Sequence, residues 1–142
     1  MHILVIEDNA EDAFLILQAF STVEDCHAFV CRDTKEARAY LNGEGLFFNR
    51  RKHPLPDAII ADIGLMGESG LQFIRWLREQ PSFASLPAFI LSGSPSKDDV
   101  ASAQTLGVLR VMQKSHDLRI LERTLVQLAE ELRALPRAVE HA

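Results

Sequence analysis

Short apolar segments alternate strictly with helix-like segments along this chain of 142 residues. Short continuous apolar runs are typical of strands that are buried on both faces of a sheet. The predicted strands are Ile3–Ile6, Cys26–Cys31, Ala58–Asp62, Ala88–Ser92 and Val108–Met112. The predicted helices that follow them are Ala10–Phe20, Thr34–Leu41, Gly70–Glu79, a helix between Ser96 and Gly107, and Leu118–Leu135. This alternation predicts an α/β fold, a doubly wound five-stranded parallel sheet with helices on both faces.

The length and composition are those of one globular domain. Apolar residues make up 47% of the chain and charged residues 25%, which leaves enough apolar surface for a core. The formal net charge of −5 argues against nucleic acid as a partner. No apolar run approaches the roughly 20 residues that span a bilayer, and the N-terminus lacks the basic region of a signal peptide. We therefore expect a cytoplasmic protein with no membrane partner.

Polar side chains stand where the predicted strands end. The first strand runs into Glu7 and Asp8, the third ends in Asp62, the fourth ends in Ser92, and Lys114 follows the fifth. In a doubly wound fold, ligands bind beyond the carboxyl ends of the strands. Each residue alone has a simpler explanation, since acids and serines cap helices and a single lysine is usually solvated. Their coincidence at one edge of the sheet favours a binding or reaction site.

The chemistry of this cluster favours a cation and a phosphoryl group. Two unit charges 4 Å apart repel by roughly 4 kcal/mol at an effective dielectric of 20, so three carboxylates need a counter-charge. Carboxylate oxygens suit Mg²⁺, which can bridge an acceptor carboxylate and an incoming phosphoryl group. A carboxylate can also be the nucleophile and form an aspartyl phosphate. Lys114 and the Ser92 hydroxyl would then donate to phosphoryl oxygens.

Four motifs resemble the receiver domains of bacterial two-component response regulators. They are Val5–Asn9, Pro56–Asp62, Phe89–Ser94 and Lys114, and the resemblance runs from about Ile3 to Leu132. The resemblance implies a flavodoxin-like, CheY-like fold, with a receiver domain over residues 1–135 and a short C-terminal tail over residues 136–142. The long segment between the second helix and the third strand is similar to that of small receivers paired with bacteriophytochrome-type or hybrid sensor kinases.

The resemblance also implies a role for each strand-end residue. Asp62 is the expected phosphoacceptor, supplied by a sensor histidine kinase or a phosphotransfer protein. The expected Mg²⁺ ligands are Glu7, Asp8, Asp62 and the backbone carbonyl of Gly64. The expected phosphoryl-binding and switch residues are Ser92, Gly93 and Lys114.

Three residues depart from the pattern of the family. Met66 stands where receivers usually have a proline, which predicts a more mobile loop after Asp62. Ser115 follows Lys114 in place of a proline that is often cis, so the bond here is expected to be trans, or strained if it is cis. Val111 occupies the position of the aromatic switch residue, and a valine cannot swing inward as that ring does. The phosphorylation chemistry is expected to survive, whereas the usual output mechanism is not assured by the sequence.

Two helices carry apolar residues that bear on partners. On the first helix, we expect Ala10, Ala13, Phe14, Leu17 and Phe20 to face the sheet. Leu15 falls off this stripe, and it is either a single exposed apolar residue or a contact for the kinase. The final helix has a heptad-like leucine seam that favours either core packing or a homodimer. Its leucines are Leu118, Leu121, Leu125, Leu128, Leu132 and Leu135.

The leading functional interpretation is therefore a single-domain response regulator. Its output would pass through protein contacts or onward phosphotransfer, because no DNA-binding or catalytic domain is expected after the final helix. One alternative is a receiver-like adaptor that acts without phosphorylation. A phosphatase with an aspartyl phosphate intermediate would usually carry a second aspartate two residues after the nucleophile, where this chain has Gly64. The chain is thus not expected to be an enzyme acting on a separate substrate.

Overall fold

The alternation of strands and helices is confirmed in the computed structural model, which describes residues 1–136. The strands are β1 (His2–Ile6), β2 (His27–Cys31), β3 (Ala58–Ala61), β4 (Ala88–Ser92) and β5 (Arg110–Gln113). The helices are α1 (Ala10–Ser21), α2 (Thr34–Asn42), α3 (Gly70–Glu79), α4 (Lys97–Thr105) and α5 (Leu118–Ala134), with a short 3₁₀ helix at Gly45–Phe47. No helix in this part of the chain is long and apolar enough to cross a membrane.

The five strands form one parallel sheet in the order β2-β1-β3-β4-β5. The strand order reverses between β1 and β3, which opens a crevice at the carboxyl ends of these two strands. Ile6 is in register with Ala61, so the next residues, Glu7 and Asp62, leave the sheet side by side. The register of the sheet thus brings the two acidic strand ends together.

Two apolar clusters cover the two faces of the sheet, as expected for a doubly wound fold. The side chains of β1 alternate between them, with Ile3 and Val5 on one face and Leu4 and Ile6 on the other. The first cluster is closed by α1 and α5, and the second by α2 and α3. Burial on both faces explains why the strands read as continuous apolar runs in the sequence.

The leucine seam of α5 packs into the core. Leu121, Leu125, Leu128 and Leu132 are buried, and Leu118 and Leu135 pack against the same cluster. The core thus accounts for the whole seam, whereas Ile120 and Val126 stay exposed. A homodimer through this helix remains a prediction.

The predicted orientation of α1 was wrong for most of the stripe, although Phe20 is buried in the core as expected. Phe14 and Leu17 are 62% and 42% exposed, whereas Ile16 is buried. Leu15 packs, partly buried, against the core beside α5 instead of lying free on the surface. Since the chain is apolar from residue 13 to residue 17, periodicity alone did not select one face, and packing against the sheet decided it.

The long segment between α2 and β3, residues 43–57, contains no strand or α-helix and only the short 3₁₀ helix, yet it packs closely against α2. Arg50 fastens it to the end of α2, because its guanidinium donates to the carbonyl oxygens of Tyr40 at 2.8 Å, Leu41 at 2.8 Å and His53 at 3.2 Å. The ring of His53 meets those of Phe29, Tyr40 and Phe47 edge-on. The segment therefore has its own small core and one cationic anchor.

Replacing Arg50 by alanine should lower the free energy of unfolding by about 2 kcal/mol, because it removes charged hydrogen bonds and leaves carbonyls unpaired. Urea unfolding would measure the loss, and trypsin cleavage after Arg51 or Lys52 should become faster. Arg51→Ala is the matched control, since Arg51 is exposed and only its backbone N–H makes a hydrogen bond. Equal stability of the two variants would contradict the anchoring role of Arg50.

Candidate functional site

Lys114 lies at the centre of the acidic strand ends. Its backbone N–H donates to the carbonyl of Ser92 at 2.8 Å, which holds it beside β4. Its Nζ donates to Glu7 Oε1 at 2.5 Å, to Asp62 Oδ2 at 2.7 Å and to Asp12 Oδ2 at 3.0 Å. The Lys114 side chain is only 9% exposed. All three N–H groups of the ammonium are thus directed at carboxylates.

The carboxylates keep this ammonium charged despite its burial. Burial lowers the pKa of Lys114, but the hydrogen bonds to Asp62, Glu7 and Asp12 outweigh that effect and raise it. Burial raises the pKa of Glu7, which is 2% exposed, while its hydrogen bonds from Lys114 and the backbone of Asn9 act in the opposite direction. Lys114 is therefore a fixed positive charge among several negative ones at neutral pH.

Asp62 has one carboxylate oxygen facing Lys114 and the other facing its own loop. Its Oδ1 accepts from the backbone N–H of Gly64 at 3.0 Å, which fixes the plane of the carboxylate. The side chain is 12% exposed, so solvent still reaches it. The arrangement leaves Asp62 oriented, paired with a cation and accessible from outside.

The loop after Asp62 is fastened at two points. Asp8 Oδ2 accepts from the backbone N–H of Met66 at 3.0 Å. Two residues further on, Glu68 pairs with Arg38 at 2.5 Å, and the guanidinium of Arg38 lies 4.9 Å from the ring centroid of Trp76. Met66 itself is exposed, yet these contacts oppose the mobility that the missing proline predicts.

The remaining predicted site residues lie around this centre with fewer direct contacts. Ser92 is buried at the end of β4, and Gly93 follows it with open space around its Cα. Val111 is partly buried against the α2–α3 cluster. The Lys114–Ser115 bond is trans, because residues 1–136 contain no cis peptide. The structure therefore joins Glu7, Asp62 and Lys114 directly and places Ser92 and Gly93 at the same edge, whereas Val111 lies within β5.

Sequence reasoning missed two residues of the site. Asp12 was not among the predicted site residues, yet its carboxylate accepts a hydrogen bond from Lys114. Gly70 begins α3 directly beneath Asp62, and a Cβ added there would lie 2.2 Å from the backbone oxygen of Asp62. A signal for Asp12 existed, because an acid in the first turn after a strand end lies at the functional edge. No comparable signal marked Gly70.

The residues present fit Mg²⁺. The donor set consists of hard carboxylate oxygens, with Asp8 exposed and Asp62 accessible. No group of three or more His, Cys, Asp or Glu side chains within residues 1–136 is placed to hold a metal ion alone. Mg²⁺ usually takes one or two carboxylates from the protein and completes its shell with water and phosphate oxygens.

A doubly wound parallel sheet with an oriented aspartate, further acids and a buried lysine at its carboxyl edge defines a receiver of the response regulator class. The chain belongs to the family described as response regulator receiver domain, whose model matches residues 3–126. The resemblance noted in the sequence is thereby confirmed.

The relatives include phytochrome response regulators. Response regulator Rcp1 of Synechocystis sp. is 28% identical over 120 residues, which cover 84% of this chain and 80% of Rcp1. The structure of the phosphorylated cyanobacterial phytochrome response regulator RcpA superimposes with a TM-score of 0.83 at 27% identity, covering 98% of both chains. The transcriptional regulatory protein PhoP of Escherichia coli (strain K12) is 34% identical over 111 residues, but these span only 42% of PhoP.

Proposed function

We propose that this chain is a single-domain response regulator that accepts a phosphoryl group on Asp62 from a sensor histidine kinase or phosphotransfer protein, in a Mg²⁺-dependent reaction. The observation that carries the proposal is the orientation and accessibility of the Asp62 carboxylate. One of its oxygens lies 2.7 Å from the Lys114 ammonium, the other is held by the Gly64 N–H, and the carboxylate stays accessible. An oriented carboxylate beside a fixed cation is suited to attack a phosphorus atom.

Each residue of the site has a part in this transfer. Glu7, Asp8, Asp62 and the Gly64 carbonyl would hold Mg²⁺, which when bound offsets charge on the phosphoryl oxygens. An Asp62 oxygen forms the new O–P bond as the N–P bond of a phosphohistidine breaks, and the electron pair of that bond leaves with the imidazole nitrogen. Lys114 moves one N–H from Asp62 Oδ2 to a phosphoryl oxygen. Ser92 and Gly93, at the end of β4, line the space on the other side of the group.

The surface of α1 is a candidate for the docking of the phosphodonor protein. Phe14 and Leu17 are exposed there, whereas Leu15, the predicted partner contact, is partly buried against the core. The exposed apolar area of this helix therefore comes from Phe14 and Leu17 more than from Leu15. Output would pass through protein contacts, a homodimer or onward phosphotransfer, in the cytoplasm. The domain would span residues 1–135, and the predicted tail, apart from Pro136, lies outside the described residues.

The test is phosphorylation of Asp62 by a small donor. Purified protein incubated with Mg²⁺ and acetyl phosphate should gain one acid-labile phosphoryl group in its intact mass spectrum, and chelation of Mg²⁺ should prevent the gain. Asp62→Asn should abolish it. Asp57→Asn is the matched control, because Asp57 is an exposed aspartate just before β3 whose carboxylate accepts a hydrogen bond from the His2 N–H.

A second candidate is the adaptor that acts without phosphorylation. The valine at position 111 favours it, because a small side chain packed against the core offers no ring to couple the site to the surface. A folded wild-type protein that gains no phosphoryl group, or an Asp62→Asn variant that still gains one, would refute Asp62 phosphorylation. The first of these results would support the adaptor.

A further inference from the structure

Asp12 contacts the site although no sequence motif assigned it a role. It lies in the first turn of α1, where its backbone N–H donates to the Asn9 side chain at 2.9 Å. Its side chain is only 15% exposed and turns away from this cap. Oδ2 accepts from Lys114 Nζ at 3.0 Å, and Oδ1 lies 3.0 Å from Nε2 of His116. Both oxygens are therefore engaged, which fixes the plane of the carboxylate.

Two of the three carboxylates that accept from Lys114 hold its ammonium in place, and the third belongs to the proposed phosphoacceptor. Glu7 and Asp12 approach the ammonium from the end of β1 and the start of α1, while Asp62 approaches it from the end of β3. A lysine side chain has many rotamers, so it needs fixed acceptors to hold one geometry. With two N–H groups held, the third has only one direction left. That direction is toward Asp62.

We propose that Asp12 is a positioning residue that holds Lys114 so that its third N–H points at Asp62 and at the phosphoryl group carried there. The inference rests on the proposed phosphotransfer function and adds a residue to its machinery. Asp12 touches neither the acceptor nor the phosphoryl group, and it acts only through Lys114. Its contact with His116 keeps the carboxylate from rotating away.

A merely structural role for Asp12 is the competing explanation. An acid in the first turn of a helix interacts favourably with the helix dipole wherever it points. Glu11 is the matched control, because it lies in the same turn, carries the same charge and is exposed to solvent. Glu11→Gln thus removes the same charge from the same turn without touching Lys114.

The experiment compares Asp12→Ala, Asp12→Asn, Asp12→Glu and Glu11→Gln with the wild type. Acetyl phosphate and Mg²⁺ are varied to separate the maximal rate of phosphorylation from the apparent Mg²⁺ affinity. Asp12→Ala should lower the maximal rate about tenfold and change the Mg²⁺ affinity less than twofold, since a misdirected ammonium weakens transition-state stabilisation. The maximal rate of Asp12→Asn should lie between those of Asp12→Ala and the wild type, because its amide oxygen still accepts from Lys114. Asp12→Glu should restore part of the rate, and Glu11→Gln should match the wild type.

A direct readout of Lys114 separates this inference from the proposed function. In ¹⁵N NMR spectra the Lys114 ammonium should exchange its protons with water slowly in the wild type and at least several-fold faster in Asp12→Ala. Unchanged exchange, or a rate loss equal to that of Glu11→Gln, would overturn the positioning role. Failure of the proposed function would look different, because the wild type itself would not be phosphorylated while the difference in exchange persisted. Circular dichroism confirms that each variant is folded.

Discussion

Replacing Lys114 by methionine is expected to lower the free energy of unfolding by about 3 kcal/mol at neutral pH, because the change breaks a buried ion pair and leaves one partner unpaired. Glu7, 2% exposed, would lose the ammonium that lies 2.5 Å from its carboxylate. Asp12 and Asp62 would lose the same partner and repel Glu7. The same variant should lose nearly all phosphorylation by acetyl phosphate, because the ammonium that would donate to the phosphoryl oxygens is gone.

The loss of stability should depend on pH with a defined sign. Burial already raises the pKa of Glu7 above its ordinary value of 4.5, and the hydrogen bond and charge of Lys114 oppose that rise. Without Lys114, the pKa of folded Glu7 rises further. A carboxyl group whose pKa is higher in the folded state contributes stability at low pH, and this contribution is lost as the pH rises through the folded pKa.

Urea unfolding of both proteins at about pH 5 and about pH 8 would measure this dependence, and the deficit of the variant should be the larger at the higher pH. Lys97→Met is the matched control, since Lys97 is exposed at the start of α4 and should change stability by less than about 0.5 kcal/mol. A deficit that is the same at both pH values would show that Glu7 is not the group left unpaired.

Replacing Gly70 by alanine is the second large expected effect, with a loss of about 3 kcal/mol of unfolding free energy. The new Cβ would lie 2.2 Å from the backbone oxygen of Asp62 and 2.8 Å from its carbonyl carbon. Backbone atoms on both sides must shift, because neither belongs to a flexible side chain. Since the strain falls on Asp62 itself, the phosphorylation rate should fall together with the stability.

Gly93→Ala is the control for this substitution. A Cβ at Gly93 would meet no atom within 4 Å, so the variant should keep its stability to within about 0.5 kcal/mol. Differential scanning calorimetry of both variants beside the wild type would show the contrast. A Gly70→Ala protein as stable as Gly93→Ala would mean that α3 can move away from β3 at little cost.

The sequence was sufficient for the architecture and for the centre of the candidate site. Apolar runs buried on both faces are unambiguous when helices separate them, so the five strands and their helices were predicted to within about two residues. The residues that end those strands follow directly, because parallel strands place their carboxyl ends at one edge. Glu7, Asp62 and Lys114 came together for this reason alone.

The sequence could not predict the rotation of α1 about its axis, the direction of the Asp12 side chain, or the close approach of the Gly70 and Asp62 backbones. The face that α1 turns to the sheet was undetermined, because a buried face that contains Ile16 fits the apolar periodicity about as well as one that contains Phe14 and Leu17. The side chain of Asp12 could serve the cap or the site, and only the position of Lys114 decides between them. Gly70 is required by a contact across the chain, between the start of α3 and the end of β3, and no local pattern encodes that distance.

The pairing of Lys114 with three carboxylates also has an evolutionary consequence. It determines whether Asp62 or Lys114 can be lost first in descendants of this protein without destabilising the fold. Asp62→Asn removes the proposed acceptor, but its amide oxygen still accepts from the lysine N–H, so a lineage could lose phosphorylation and keep a folded domain. Loss of Lys114 first would expose that lineage to a buried, unpaired Glu7. We therefore expect silenced descendants to retain the lysine after the aspartate has gone, and to replace the lysine only after Glu7 has become uncharged.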